Sequence, residues 1–124
     1  MKILVVDDEK DIQPLFIQRF RKEIKSGEIH FVFAYSGEEA LICLKNYEHE
    51  AVLILSDINM PGMSGLELLK QIKLQHHKPP PIVMMITAYG DEENYKSAME
   101  LGADDFIIKP VDFDKLKEKI KTIR

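Results

Sequence analysis

Five short apolar runs recur along the chain, and longer segments with a helical period separate them. The runs cover residues 3–6, 29–34, 52–55, 82–86 and 106–108. Four of them are continuously apolar and rich in β-branched residues, which is typical of strands buried on both faces of a sheet. The second run is flanked by Glu28 and interrupted by His30, and this pattern favours an edge strand.

The segments between the runs carry apolar residues at helical spacing. One face of the first predicted helix carries Ile12, Leu15, Phe16 and Phe20, and one face of the last carries Phe113, Leu116, Ile120 and Ile123. Pro14 is tolerated in a first helical turn, where its missing N–H would have no intrahelical partner. The regular part of the first helix is therefore expected to begin near Lys10 or Asp11, or to be kinked.

Capping residues mark the ends of the other predicted helices. The S-x-x-E sequences that begin at Ser36 and Ser64 are capping boxes and predict the starts of the second and third helices. Gly102 is a predicted stop for the fourth helix, and Asp112 is a predicted N-cap for the fifth.

The alternation of strands and helices predicts five β-α units in a single domain over residues 1–124. This order implies an α/β fold, a doubly wound parallel sheet joined by right-handed crossovers. Open sheets of this kind bind ligands outside the carboxyl ends of their strands, where the strand order reverses. Functional residues are therefore expected at that edge of the sheet.

Composition narrows the class of protein without naming its chemistry. The 124 residues are 45% hydrophobic and 31% charged, an ordinary balance for a globular domain. A net charge of −4 argues against a dedicated nucleic-acid binder, and no apolar run approaches the roughly 18 residues of a membrane span. Cys43 is the only cysteine, so no internal disulfide is possible, and a cytoplasmic location is expected.

Polar or charged residues stand at the ends of four of the five predicted strands. Asp7 and Asp8 follow the first run, Asp57 follows the third, Thr87 ends the fourth and Lys109 follows the fifth. Each has an ordinary structural explanation, as a helix cap, a turn residue or a solvated side chain. Those explanations do not account for three carboxylates and a lysine that converge on one sheet edge.

The charge of this cluster predicts a metal site. Asp7, Asp8 and Asp57 sum to about −3 when ionised, and like charges that share a site raise one another's pKa. Lys109 offsets one charge, and a hard divalent cation would offset the other two. Mg²⁺ suits oxygen ligands and is commonly held by one or two carboxylates beside a phosphate.

Mg²⁺ beside a carboxylate points to phosphoryl transfer, in which positioning and charge neutralisation do most of the work. Aspartate is a covalent acceptor in such chemistry. The chain has no G-x-x-x-x-G-K-[ST] nucleotide cradle. The phosphoryl group is therefore expected to come from another protein or from a small donor.

Four motifs occur in order at the strand ends. They are Asp7-Asp8, the segment DINMPGMSG from Asp57 to Gly65, Thr87-Ala88 and Lys109-Pro110. Any one of them is weak evidence, but the ordered set is highly specific. With it, the chain resembles the receiver domain of two-component response regulators from end to end.

The resemblance implies a flavodoxin-like sheet with strand order 2-1-3-4-5. It implies that Asp57 accepts phosphate from a phosphohistidine on a partner protein. It also implies that Mg²⁺ binds to the carboxylates of Asp8 and Asp57 and to the backbone carbonyl of Asn59, while Asp7 acts largely through water.

The resemblance assigns further residues to the switch. Lys109 would bond the phosphoryl group, and the peptide bond before Pro110 would be cis, which is uncommon for X–Pro bonds. Thr87 would swing toward the phosphoryl group while Phe106 turns inward. Phenylalanine lacks the hydroxyl of the tyrosine that is also familiar at this position.

Regulation and partners follow from the same resemblance. Asn59 and Tyr89 would affect the rate of dephosphorylation. A sensor histidine kinase or histidine phosphotransfer protein would supply the phosphoryl group, and the chain would catalyse nothing beyond its own phosphorylation and dephosphorylation. An effector domain or protein would bind the face formed by the fourth helix, the fifth strand and the fifth helix. A homodimer through the face of the fourth helix is left open.

Two other classes of protein compete with this interpretation. One is a Mg²⁺-dependent phosphohydrolase of the haloacid dehalogenase type, a family typified by a D-x-D sequence after the first strand. This chain instead has Asp7-Asp8-Glu9 there, and its candidate nucleophile follows the third strand. The other is a pseudo-receiver that makes only protein contacts, which the intact set of polar residues disfavours.

Overall fold

Five strands and six helical segments alternate through the residues that the structure, a computed structural model, describes: 1–46, 51–75, 80–88 and 90–123. In chain order they are β1 (Lys2–Val6), α1 (Ile12–Arg19), α2 (Arg21–Lys25), β2 (His30–Ala34), α3 (Gly37–Asn46), β3 (Ala51–Asp57), α4 (Gly65–Leu74), β4 (Ile82–Thr87), α5 (Glu92–Glu100), β5 (Asp105–Ile108) and α6 (Phe113–Lys121). No helix in these ranges has the length and apolar character needed to cross a membrane.

The strands form one parallel sheet in the order β2-β1-β3-β4-β5. This confirms the predicted strand order and the edge position of the second strand. The chain leaves β1 for β2 on one side and later returns to β3 on the other, so the strand order reverses between β1 and β3. The carboxyl ends of these two strands bound the crevice in which such sheets bind ligands.

The predicted first helix is divided into α1 and α2, which corrects the expectation of five helices. Phe20 separates the two segments with φ −106° and ψ 22°, outside the helical region. Hydrogen bonds nevertheless continue across it, because Phe20 N–H donates to Phe16 O at 3.0 Å and Ile24 N–H donates to Phe20 O at 2.9 Å. Pro14 lies in the first turn of α1, as predicted. The predicted fourth and fifth helices are therefore α5 and α6.

Hydrophobic side chains fill both faces of the sheet. On one face, α1, α2 and α6 cover an aromatic cluster, defined here as Phe16, Phe20, Phe31, Phe33 and Phe113. On the other face, α3, α4 and α5 cover aliphatic residues such as Ile54, Leu68 and Met85. Both faces exclude water, which explains the continuous apolar runs of the inner strands.

The predicted capping residues are in place. Ser36 Oγ accepts the N–H of Glu39 at 3.0 Å, and Ser64 Oγ accepts the N–H of Glu67 at 3.2 Å. Asp112 caps α6 in the same way. After α5, Gly102 adopts φ +95°. Its N–H donates to Met99 O at 3.1 Å and the N–H of Ala103 donates to Ala98 O at 3.0 Å, which is the pattern of a Schellman motif. Local sequence therefore fixes where these helices begin and end.

Candidate functional site

The paired parallel strands place the candidate residues at one edge of the sheet. Asp7 follows β1 directly, Asp57 is the last residue of β3, and Thr87 is the last residue of β4. Asp57 pairs with Ile86, so the third strand extends two residues beyond the predicted apolar run. Lys109 N–H donates to Thr87 O at 2.8 Å, which continues the β4–β5 pairing one residue past β5. Regular backbone pairing thus positions the site.

Gly65, at the start of α4, packs against the backbone of Asp57. A Cβ at this position would lie 2.0 Å from Asp57 O, so no larger residue fits without moving one of the two elements. Gly65 N–H also donates to Ile58 O at 2.7 Å. The sequence motif includes Gly65 without giving it a role, and the structure shows that it permits this close approach.

Lys109 forms an ion pair with Asp57. Its Nζ lies 2.9 Å from Asp57 Oδ2, and Asp57 is only 3% exposed. Partial burial lowers the pKa of Lys109, but the hydrogen bond and charge of Asp57, together with the charges of Asp7 and Glu9, outweigh it and raise the pKa. The lysine therefore stays positively charged beside the buried carboxylate.

Three carboxylates converge beside this ion pair. One oxygen from each of Asp7, Asp8 and Asp57 lies within 4.8 Å of the other two. Burial raises the pKa of Asp7, and the charges of Asp57 and Asp8 add to this effect against the opposing N–H of Glu9 and the charge of Lys109. Three carboxylates thus share the site with the single ammonium group of Lys109, and oxygen ligands of this kind fit a hard divalent cation.

Thr87 brings a buried hydroxyl to the same edge. The residue is 3% exposed, and its Oγ1 has no hydrogen-bond partner among the described residues. A buried polar atom without a partner is uncommon and costs free energy. The hydroxyl is thus available to bond a group that arrives at the site.

Phe106 lies on the outer side of the site. Its ring stacks on that of Tyr95, with centroids 4.2 Å apart and parallel planes. Phe106 and Thr87 line the same cavity, which has a volume of about 190 Å³. Sequence reasoning missed Tyr95, because nothing in the pattern of α5 distinguishes it from other surface residues.

The remaining predicted site residues have simpler settings. Asp8 is partly exposed, and the side chain of Asn59, two residues beyond Asp57, is exposed. The Lys109–Pro110 peptide bond is cis. Tyr89 lies outside the described residues.

Comparison with known proteins identifies the class that this fold and site define. The chain matches the family described as response regulator receiver domain over residues 3–121, and it belongs to that family. It is therefore a receiver domain of two-component response regulators, a signalling domain.

Similar proteins support this assignment. The chain is 36% identical over 120 residues to a cyclic di-GMP phosphodiesterase of Thermotoga maritima. This match covers 97% of the chain and 30% of that protein. It is 33% identical over 125 residues to the two-component response regulator PhoP of Pseudomonas aeruginosa, which covers 99% of this chain and 51% of PhoP. The chain thus spans about half or less of these relatives.

A solved structure has the same fold. The response regulator receiver domain protein of Clostridium thermocellum superposes with a TM-score of 0.85 at 29% sequence identity. The match covers 98% of this chain and 92% of that one.

Proposed function

We propose that this receiver domain is a phosphoacceptor switch in which Asp57 receives a phosphoryl group from a phosphohistidine of a sensor kinase or phosphotransfer protein. The observation that carries the proposal is the setting of the Asp57 carboxylate. It is buried, it lies 2.9 Å from Lys109 Nζ, and it shares a site with Asp7 and Asp8. A structural ion pair would not need two further carboxylates.

The chemical step is an exchange of bonds at phosphorus. A carboxylate oxygen of Asp57 forms the new O–P bond, the N–P bond to the donor imidazole breaks, and the imidazole leaves with its electron pair. Lys109 offsets negative charge on the phosphoryl oxygens, and Thr87 Oγ1 donates to one of them. These groups act by positioning and electrostatics, as is general for phosphoryl transfer.

The residues present fit a Mg²⁺ ion. The carboxylates of Asp8 and Asp57 and the backbone carbonyl of Asn59 are its proposed ligands, and Asp7 acts through water. When bound, Mg²⁺ neutralises charge on the cluster and on the phosphoryl oxygens. Burial is the main cause of the raised pKa of Asp7, and the negative charges of Asp57 and Asp8 add to it, so a cation at the site would relieve this added repulsion.

Phosphorylation is read out through Thr87 and Phe106. Once Thr87 turns toward the phosphoryl group, the cavity that both residues line gains room for the Phe106 ring. Movement of that ring changes the surface formed by α5, β5 and α6, where Ile108 is 54% exposed. We propose this surface as the binding site for a downstream effector domain or protein. Asn59 and Tyr89 are proposed to set the lifetime of the phosphoryl group.

The donor protein is proposed to approach Lys109 from a different side than the effector surface near Phe106. A cleft of about 480 Å³ lies there, between the start of α1 and the loop that joins β5 to α6. Ile12, Leu15 and Val111 line its apolar part, and Asp7 and Lys109 line its polar part. An apolar helix surface that carries a histidine would fit such a cleft.

The proposal is tested by the mass of the intact protein after incubation with acetyl phosphate and Mg²⁺. The parent is expected to gain one phosphoryl group, and Asp57→Asn, which keeps the shape of the side chain, is expected to gain none. Far-UV circular dichroism of both proteins checks that the variant folds.

The competing classes predict different results. Sustained hydrolysis of small phosphate esters would favour a phosphohydrolase. The absence of any adduct on the folded parent, with acetyl phosphate and with a phosphohistidine donor, would favour a pseudo-receiver.

A further inference from the structure

Tyr95 and Phe106 form an aromatic pair between α5 and β5. Their ring planes are parallel and their centroids are 4.2 Å apart. Tyr95 is 50% exposed, and Phe106 is partly exposed. The stack therefore lies at the surface, and the Phe106 ring also borders a cavity.

The backbone of Phe106 is held more firmly than its ring. Phe106 N–H donates to Asp105 Oδ1 at 2.9 Å, and Asp105 Oδ2 accepts from Lys119 Nζ at 2.8 Å. The residue is also paired with Met85 of β4. A change of conformation at Phe106 is therefore a rotation of its side chain, while the strand stays in place.

Two positions are open to the Phe106 ring, and they exclude each other. In the described position the ring stacks on Tyr95. The cavity that Thr87, Phe106 and Tyr95 all line offers the second position, closer to Thr87. A ring that rotates toward Thr87 gives up its parallel stack on Tyr95, so that contact is lost.

We propose that Tyr95 is a positioning residue of the switch, which holds Phe106 outward until phosphorylation draws it inward. This inference rests on the proposed function of Asp57, Thr87 and Phe106. Because the stack stabilises only the outward conformation, it opposes the phosphorylated state. By linkage, loss of the stack strengthens the binding of any group at Asp57 that favours the inward conformation.

The test measures the affinity of the domain for beryllofluoride in the presence of Mg²⁺, since beryllofluoride mimics a phosphoryl group on a carboxylate. Tyr95→Ala is expected to lower the Kd by about twofold to tenfold, the range that corresponds to the loss of one aromatic pair. Tyr95→Phe keeps the ring and is expected to retain the parent's Kd. Met99→Ala, a truncation of another exposed apolar residue of α5, is the matched control and is expected to leave the Kd unchanged.

A second readout follows the ring itself in the protein without beryllofluoride. NMR couplings that report the Phe106 χ1 angle are expected to show one dominant rotamer in the parent and in Tyr95→Phe, and rotamer averaging in Tyr95→Ala. A purely structural role for Tyr95 would lower stability without changing this rotamer distribution.

The outcomes separate the inference from the function on which it rests. If the parent binds beryllofluoride and Tyr95→Ala has the same Kd and the same Phe106 rotamer, the role of Tyr95 is overturned. An equal decrease of the Kd in Met99→Ala would also overturn it, because the effect would then belong to α5 in general. If the folded parent neither binds beryllofluoride nor accepts phosphate from acetyl phosphate, the proposed function itself fails.

Discussion

Two groups of aromatic side chains have different roles in this domain. One is the aromatic cluster beneath α1, α2 and α6, and the other is the Tyr95–Phe106 pair between α5 and β5. Phe16 is fully buried, and its ring contacts four others, among them that of Phe113 at 5.1 Å in an edge-to-face arrangement. Phe106 is partly exposed, stacks on one ring and borders a cavity. A closely packed ring has no second position available, whereas a ring that stacks on one other ring and has a cavity beside it can rotate into that cavity. The cluster stabilises the domain, and the pair can respond to phosphorylation.

Truncation within the cluster should have the largest effect on stability. Phe16→Ala leaves a cavity among the surrounding rings and should lower the free energy of unfolding by about 3–5 kcal/mol. Urea unfolding followed by circular dichroism measures this change. Phe106→Ala is the matched control. Equal decreases in the free energy of unfolding in the two variants would contradict the distinction between the cluster and the pair.

Truncation of the partly exposed Phe106 ring should cost less stability than Phe16→Ala. It should also disconnect the surface formed by α5, β5 and α6 from the phosphorylation site. Phe106→Ala is expected to lower the free energy of unfolding by about 1 kcal/mol, because the ring is only partly buried. Beryllofluoride should still bind, but the NMR amide resonances of α5 should stop responding to it. Phe106→Tyr keeps an aromatic ring and should retain the response. A full response of α5 in Phe106→Ala would show that another route connects the site to this face.

The smallest effect is expected at the ion pair that holds the backbone of Phe106. Partial burial raises the pKa of Asp105, but the hydrogen bond from Lys119, the N–H of Phe106 and the charge of Lys119 outweigh it and hold the pKa below its ordinary value of 3.8. A carboxyl group whose pKa is lower in the folded state stabilises the fold at pH values above its pKa in the unfolded state. This stability is lost as the pH falls through the pKa of the folded state. Because both side chains are more than a third exposed, Lys119→Met should cost less than about 1 kcal/mol at neutral pH.

Urea unfolding at several pH values tests this pH dependence. The difference in unfolding free energy between the parent and Lys119→Met should narrow as the pH falls below about 4. Lys115→Met removes the same charge from an exposed position of α6 and serves as the control. A difference that stays constant across this range would show that Asp105 does not contribute through its charge.

Much of this architecture could be predicted from the sequence, because the relevant signals are local. Ser64, Gly102 and Asp112 act within one helical turn, so their capping roles can be identified without a structure. The convergence of Asp7, Asp57 and Lys109 followed from one rule, that parallel strands bring their carboxyl ends to a common edge. The order of the strands came from the resemblance to the receiver family.

Other features could not be predicted, because they depend on contacts between distant segments or leave no sequence signal. The apolar spacing remains in phase across Phe20, so a break in backbone angles at one residue is not visible in the pattern. β3 continues to Asp57 because β4 offers it a partner, although the apolar run ends at Leu55. The stack of Tyr95 on Phe106 arises only when α5 packs beside β5.

Phosphorylation is expected to move Phe106 while the aromatic cluster stays fixed. Aromatic NOE spectra of the domain with and without beryllofluoride and Mg²⁺ test it most directly. On binding, the Phe106–Tyr95 NOEs should weaken and the Phe106–Thr87 methyl NOEs should strengthen, while the Phe16–Phe113 NOEs should stay the same. Persistence of the Phe106–Tyr95 NOEs in the fully bound domain would contradict it.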